Sequence, residues 1–117
     1  MEKIIEAVKA TLAVDDFNRY AINLKDGYSL SILTGSHVES AELQTIEVAL
    51  MNNHRFAFGE DSDEAIIHYM SWSLFLDFIG DMSSWNEGKL DKTIEDIFKQ
   101  YQKWSYEMLS LSNLSDH

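Results

Sequence analysis

The side chains that could perform chemistry are few in this 117-residue chain, and they stand apart from one another. Cysteine is absent, which excludes disulfides, thiolate nucleophiles and thiolate metal sites. The four histidines, His37, His54, His68 and His117, have none of the spacings that metal-binding pairs use. A lone histidine in a loop or strand is usually structural. We therefore expect no metal and no cofactor.

Asp77 and Asp81 are the remaining catalytic candidates. They stand four residues apart, so a helix would place both carboxylates on one face, where they could act as general acid and base. The sequence has no phosphate-binding loop, no dinucleotide fingerprint and no nucleophile elbow to accompany them. The prediction is a protein that is not an enzyme. A site built on these two aspartates stays open as an alternative, provided that both face a concave pocket.

The densest run of charge lies at residues 60–64, where four of five residues are acidic. A calcium loop needs glycine at its sixth position and glutamate at its twelfth. Counting from Asp61, those positions are Ile66 and Trp72. The spacing therefore favours a solvated or partner-binding loop over a cation site.

The net charge of −11 at pH 7 is unevenly placed along the chain. Residues 15–88 contain thirteen acidic residues against three basic ones. Such a field repels nucleic acid and attracts basic surfaces, although solubility alone would also explain it. We predict a basic protein partner and no direct contact with nucleic acid. The expected contact residues are Asp15, Asp16, Glu60, Asp61, Asp63 and Glu64.

The sequence predicts a hairpin around Asp26-Gly27, because this pair is a strong turn signal and stands between two alternating stretches. A two-residue loop would place the apolar residues of the two strands on opposite faces. A three-residue loop, 25–27, places them on one face and puts Gly27 in the left-handed conformation. The predicted pairs are Leu24 with Tyr28, Ile22 with Leu30 and Tyr20 with Ile32.

A second hairpin is predicted from the alternating stretches 46–50 and 55–58. A loop over residues 52–54 would pair Leu50 with Phe56 and Val48 with Phe58, again with the apolar residues on one face. The outward face would then consist largely of small side chains. These are Ala21, Ser29, Ser31, Ala49 and Ala57, beside Thr45 and Glu47.

The remaining elements are mostly helical. Residues 2–13 predict a helix, 35–42 a surface loop, and the apolar run 65–70 a fifth strand. Ser71 is a good N-cap for a mostly buried helix over 72–82, in which Gly80 suggests close backbone packing. A turn at 83–88 leads to a last helix over 92–112, capped by Asp91.

The last helix carries apolar residues in alternating steps of three and four, among them Ile97, Tyr101, Trp104 and Met108. Such a stripe is typical either of a long helix packed across its own domain or of a coiled-coil seam between two copies. Both interpretations stay open, so a homodimer through these four residues is the alternative to the acidic binding protein.

Three stretches resemble, in their layout, small proteins of phages and prophages whose function is mostly unassigned. They are residues 28–35, 45–51 and 66–71, the last opening a helix, and the likeness covers about residues 28–80. Those proteins commonly have glycine where His68 stands and proline where Trp72 stands, so the chain departs from the pattern at two positions. The resemblance implies an origin in a mobile element.

Together these patterns predict a single α+β domain over residues 1–117. It would have an N-terminal helix, an antiparallel sheet of four to five strands with two hairpins, and two C-terminal helices packed on one face. No signal peptide or long apolar run is present, so we expect a cytoplasmic protein that does not bind membranes. The expected function is a non-enzymatic acidic inhibitor of a basic nucleic-acid-handling protein, of the anti-CRISPR, anti-restriction or toxin-immunity type.

Overall fold

The computed structural model describes residues 2–11, 18–34, 46–58 and 62–115 of the chain. The fold is α+β, with an N-terminal helix, a five-stranded antiparallel sheet and two C-terminal helices, as the sequence predicts. The predicted loop at 35–42 and the end of the first predicted helix lie outside the described residues. The elements are α1 Glu2–Thr11, β1 Asn18–Asn23, β2 Tyr28–Thr34, β3 Ile46–Asn52, β4 Arg55–Phe56, β5 Ile66–Met70, α2 Trp72–Asn86 and α3 Ile94–Ser115.

The first hairpin has the predicted register. Tyr20 pairs with Ile32 and Ile22 with Leu30, and the backbone N–H of Leu24 donates to the carbonyl of Tyr28 at 2.8 Å. Gly27 takes the left-handed conformation at φ +79°. The apolar residues of β1 and β2 therefore share one face of the sheet.

The predicted register of the second hairpin is wrong by one residue. Met51 pairs with Phe56 across a two-residue turn, Asn53-His54, in which both residues have positive φ. Asparagine tolerates this conformation, and a turn of this kind matches the twist of the flanking strands. The shift turns Phe56, 36% exposed, to the outer face and brings Ala57 and Phe58 against the core.

The strand β5 explains why β4 is so short. β3 pairs with β2 along one edge, while β4 and β5 share its other edge. Val48 accordingly pairs with Ile67 of β5 and not with Phe58 as predicted. A bulge then sets two residues of β5 opposite Glu47, because Ile46 pairs with Met70. The extra residue allows Ile67 and Met70 both to point into the core, where they are almost fully buried.

All three helices contribute to one hydrophobic core over the same face of the sheet. Val8 of α1, Phe75 and Phe78 of α2 and Phe98 of α3 are fully buried in it. The sheet side of this core is formed by alternate residues of the strands, among them Ile22, Leu30, Ile32, Val48 and Leu50. No helix in the described ranges is both long enough and apolar enough to span a bilayer.

The helix boundaries correct several local predictions. Ser71 caps α2 as predicted, because its hydroxyl oxygen accepts a hydrogen bond from the backbone N–H of Leu74 at 3.3 Å. The helix continues through the predicted turn to Asn86. The expectation of close packing at Gly80 is wrong, since this glycine is exposed and a Cβ there would meet nothing within 4 Å.

The last helix begins two residues later than predicted. The hydroxyl of Thr93 accepts a hydrogen bond from the backbone N–H of Asp96 at 3.1 Å, so Thr93 and not Asp91 caps the first turn. Helix α3 then crosses β5, where the side-chain amide of Gln102 donates to the carbonyl of Ile66 at 3.0 Å. This contact ties the helix to the edge of the sheet.

Candidate functional site

A groove of about 360 Å³ lies between α2, the connection that follows it, and α3. Asp81 of α2 forms one wall, and successive turns of α3 form the other. The lining mixes apolar side chains with charged groups of both signs. It consists of Asp81, Leu90, Lys92, Asp96, Ile97, Gln100, Tyr101 and Trp104.

The wall of the groove is fixed by a hydrogen bond between the two helices. The Tyr101 hydroxyl donates to Oδ2 of Asp81 at 2.6 Å, and Tyr101 itself is only 4% exposed. Burial raises the pKa of this phenol well above its ordinary value, and the hydrogen bond to Asp81 and the negative charges of Asp81 and Asp77 raise it further. Tyr101 therefore stays protonated and holds the Asp81 carboxylate in place.

Trp104 stands beside this pair at the surface. Its indole makes an edge-to-face contact with the Tyr101 ring, with 5.0 Å between the ring centres, yet 41% of the residue is exposed. An exposed indole near a carboxylate is the combination that attracts cations, because the aromatic face and the carboxylate are both negative. The groove can therefore bind a positively charged group, although Lys92 in the same lining opposes it.

The structure does not bring Asp77 and Asp81 together at this groove. Asp77 is exposed and does not belong to the lining, whereas Asp81 faces the groove with one oxygen engaged by Tyr101. A general acid and base pair needs both carboxylates at one concave site. The geometry thus gives the aspartate pair no shared site for catalysis.

Most of the predicted acidic contact residues fall outside the described part of the chain: Asp15, Asp16, Glu60 and Asp61. Asp63 belongs to a 3-10 turn, Ser62–Ala65, but its side chain is also outside the described part. Glu64 is exposed at the end of that turn, and its backbone carbonyl accepts a hydrogen bond from the Gln102 amide at 3.3 Å.

The described strands that follow the two acidic clusters, residues 15–16 and 60–64, lie at opposite edges of the sheet. Asn18, the described residue that follows Asp15 and Asp16, begins the edge strand β1. Ile66, two residues after Glu64, begins β5 at the other edge, three strands away or about 14 Å at the usual strand spacing.

The predicted dimer seam is divided between the core and the surface. Ile97 and Tyr101 are 3% and 4% exposed, so they pack within the chain's own core. Trp104 and Met108 are 41% and 44% exposed. The first half of the stripe serves the intramolecular packing of α3, and the second half leaves two large side chains at the surface.

The outer face of the sheet carries the small side chains that the sequence predicts, apart from Ala57. Ala21, Ser31 and Ala49 are direct neighbours on three successive strands. On the same face, Nδ1 of His68 lies 3.6 Å from Oε1 of Glu47, a distance that suits an ion pair when the imidazole is protonated. Thr45 lies outside the described residues.

A second, more open hollow of about 570 Å³ lies at the hairpin ends. Within it the Tyr28 hydroxyl donates to Oε1 of Glu95 at 3.3 Å. Burial, followed by the charge of Glu95 and this hydrogen bond, raises the pKa of Tyr28. The contact fastens the end of β2 to the first turn of α3.

Sequence reasoning missed the contact between Tyr101 and Asp81. Both residues stood out in separate patterns, one in the apolar stripe of α3 and the other in the pair of aspartates on α2. The partners are twenty residues apart, and no local spacing connects them. Only the packing of the two helices brings the phenol to the carboxylate.

Within the described ranges, no group of three histidine, aspartate or glutamate side chains is arranged to hold a metal ion. No family model matches the chain, and neither a curated protein nor a solved structure matches it. The resemblance to phage and prophage proteins therefore stays a prediction.

Proposed function

We propose that this chain is a non-enzymatic binding protein that inhibits a basic, nucleic-acid-handling protein. The observation that carries the proposal is the uneven placement of charge along the chain. Residues 15–88 contain thirteen acidic residues against three basic ones. The three connecting segments 12–17, 35–45 and 59–61 contain six acidic residues and no basic one.

Carboxylates concentrated in this way can take the place of nucleic-acid phosphates on a basic surface. They steer a positively charged partner towards the chain, and they pair with its lysine and arginine side chains on contact. Both effects weaken as salt rises, because counterions screen exposed charges beyond about 8 Å at physiological ionic strength. An inhibitor of this kind needs no catalytic group. An origin in a phage or another mobile element would fit this role.

The test is affinity capture from lysate of the cell that encodes the protein, read by mass spectrometry at low and high salt. The test variant neutralises the acidic cluster at residues 60–64 through Glu60→Gln, Asp61→Asn, Asp63→Asn and Glu64→Gln. A matched control removes the same four charges at exposed positions elsewhere, through Glu2→Gln, Glu6→Gln, Asp91→Asn and Glu107→Gln.

We expect the wild type and the control to retain one basic nucleic-acid-binding protein, and the test variant to lose most of it. The captured protein should also lose its activity on nucleic acid when the wild-type chain is added in excess. If the two variants retain that protein equally, the carboxylates at residues 60–64 have no specific part in the contact and the proposed site is wrong. If the wild type captures no basic protein at either salt concentration, the proposed function is wrong.

A second candidate function, self-association through α3, is favoured by the exposed side chains of Trp104 and Met108. Light scattering at high micromolar concentration tests it. Met108→Ser should shift a dimer towards monomer, whereas Leu76→Ser, at a similarly exposed apolar position on α2, should not. A wild-type chain that is strictly monomeric at that concentration contradicts this candidate.

A further inference from the structure

We infer that the groove between α2 and α3 binds an arginine side chain of the basic partner. The inference rests on the proposed function, because it names a contact through which such a partner would be recognised. It depends on three described features of the groove: a carboxylate held in a fixed position, an exposed indole beside it, and a negative local charge. None of these belongs to the acidic connecting segments.

The fixed carboxylate is Asp81. The hydrogen bond from Tyr101 engages Oδ2 and leaves Oδ1 to accept from a ligand. Because Tyr101 is buried and remains protonated, the carboxylate loses little freedom when a cation binds. A carboxylate that is already oriented binds a cation more tightly than a mobile one at the surface.

The indole of Trp104 supplies a second, chemically different attraction. Its large exposed area, 41%, is unusual for a tryptophan whose ring also contacts the buried Tyr101. Indole is the aromatic ring that binds cations best. An aromatic ring and a carboxylate in one groove favour a cation with a flat face over an anion or a neutral group.

Arginine fits both features better than lysine does. Its guanidinium is planar and weakly hydrated, so one face can stack on the indole while an edge donates to the carboxylate. A lysine ammonium is compact and strongly hydrated, and it has no face to stack. The groove volume of about 360 Å³ accommodates one such side chain with its methylene stem.

The charge of the groove complements this ligand. Asp81 and Asp96 line it against a single ammonium in the lining, that of Lys92, and Asp77 lies close enough to act on Tyr101. The Lys92 ammonium therefore competes with the incoming cation for the carboxylates of the groove. Its removal should strengthen binding, which a purely apolar groove would not show.

The test uses three peptides: hexa-arginine, hexa-lysine with the same charge, and neutral hexacitrulline. Binding is followed in ¹⁵N–¹H NMR spectra through the indole N–H signals of the three tryptophans, with Trp104 assigned by Trp104→Phe. We expect hexa-arginine to shift the Trp104 signal most, hexa-lysine to bind about two- to fivefold more weakly at this signal, and hexacitrulline to leave it unmoved.

Two pairs of variants separate the groove from overall charge. Asp81→Asn, which keeps an acceptor for Tyr101, should weaken hexa-arginine binding by about fivefold. The control Asp91→Asn, an exposed aspartate outside the lining, should have a smaller effect. Lys92→Gln should strengthen binding by about two- to threefold, and Lys103→Gln, exposed on α3 outside the lining, should do so less.

The inference is overturned if hexa-arginine leaves the Trp104 signal unmoved, if hexa-lysine shifts it equally, or if the paired variants behave alike. These results leave the proposed function intact, because a basic partner could still bind through the acidic segments. Conversely, failure to capture any basic protein contradicts the proposed function, whereas the peptide titration still measures the groove by itself.

Discussion

Burial of the Tyr101 phenol, together with its hydrogen bond to Asp81, makes the stability of the fold depend on pH in a way that one substitution removes. At neutral pH, Tyr101→Phe deletes the donor and leaves a carboxylate that water in the groove can still reach. The loss of a hydrogen bond to a charged acceptor under these conditions should lower the free energy of unfolding by about 1 kcal/mol.

The change in stability above pH 10 tests the role of Tyr101 more sharply than the loss of stability at neutral pH. In the unfolded chain the phenol titrates near pH 10, whereas burial and Asp81 raise its pKa in the folded protein. Below pH 10 both states hold the proton, so the stabilisation is fully present. Above pH 10 the unfolded chain releases it and the folded chain does not, which lowers the free energy of unfolding by about 1 kcal/mol between pH 10 and pH 11.

Urea unfolding followed by tryptophan fluorescence from pH 8 to pH 11 measures this difference. The stability of the wild type should fall towards that of Tyr101→Phe and meet it near pH 11. Tyr106→Phe, at a tyrosine that is 46% exposed, is the control and should follow the wild type throughout. Parallel curves for the wild type and Tyr101→Phe would refute the reasoning, because the buried phenol would then titrate alike in both states.

Two further predictions concern stability. Gly27→Ala should cost about 2 kcal/mol and Gly88→Ala about 1 kcal/mol in urea unfolding. Both glycines have positive φ, but only a Cβ at Gly27 would lie 2.5 Å from Oδ1 of Asn53 and force that side chain to rotate. Equal costs would show that the asparagine contact is unimportant. Ser105→Ala should raise the free energy of unfolding by about 1 kcal/mol, because the buried Ser105 hydroxyl has no hydrogen-bond partner within the described residues. A loss of stability in this variant would mean that the hydroxyl is satisfied.

The fold class and the first hairpin could be predicted because local rules agreed with one another there. At Lys25–Gly27 only one loop length places Ile22 and Leu30 on the same face, so turn chemistry and apolar alternation lead to the same register. The second hairpin offered no such agreement. Asparagine tolerates positive φ at several positions, so residue type left the loop length open, and β5 occupies the edge of β3 that a longer β4 would have used.

The helix ends likewise include one that a local signal predicts and one that depends on packing. Ser71 could be identified as a cap from the sequence, because serine before an apolar run is a local signal. The hydrogen bond that it makes, with the backbone N–H of Leu74, is also local. At the next helix, Asp91 and Thr93 are both suitable caps by residue type. The packing of Ile94 into the core decides between them, since it places the first turn of α3 two residues later than the sequence suggested.

Three features of the protein follow from residue type and short-range periodicity: the order of the elements, the acidic character of the connecting segments and the absence of thiol chemistry. Two others depend on how the elements pack. The apolar stripe of α3 divides between core and surface, and the hydroxyl of Tyr101 on α3 reaches Asp81 on α2. The physical reason is that a stripe of apolar residues shows which side chains must be buried but does not show which element they pack against. The core extends along α3 where α2 and β5 pack against it, and their positions follow from the tertiary fold.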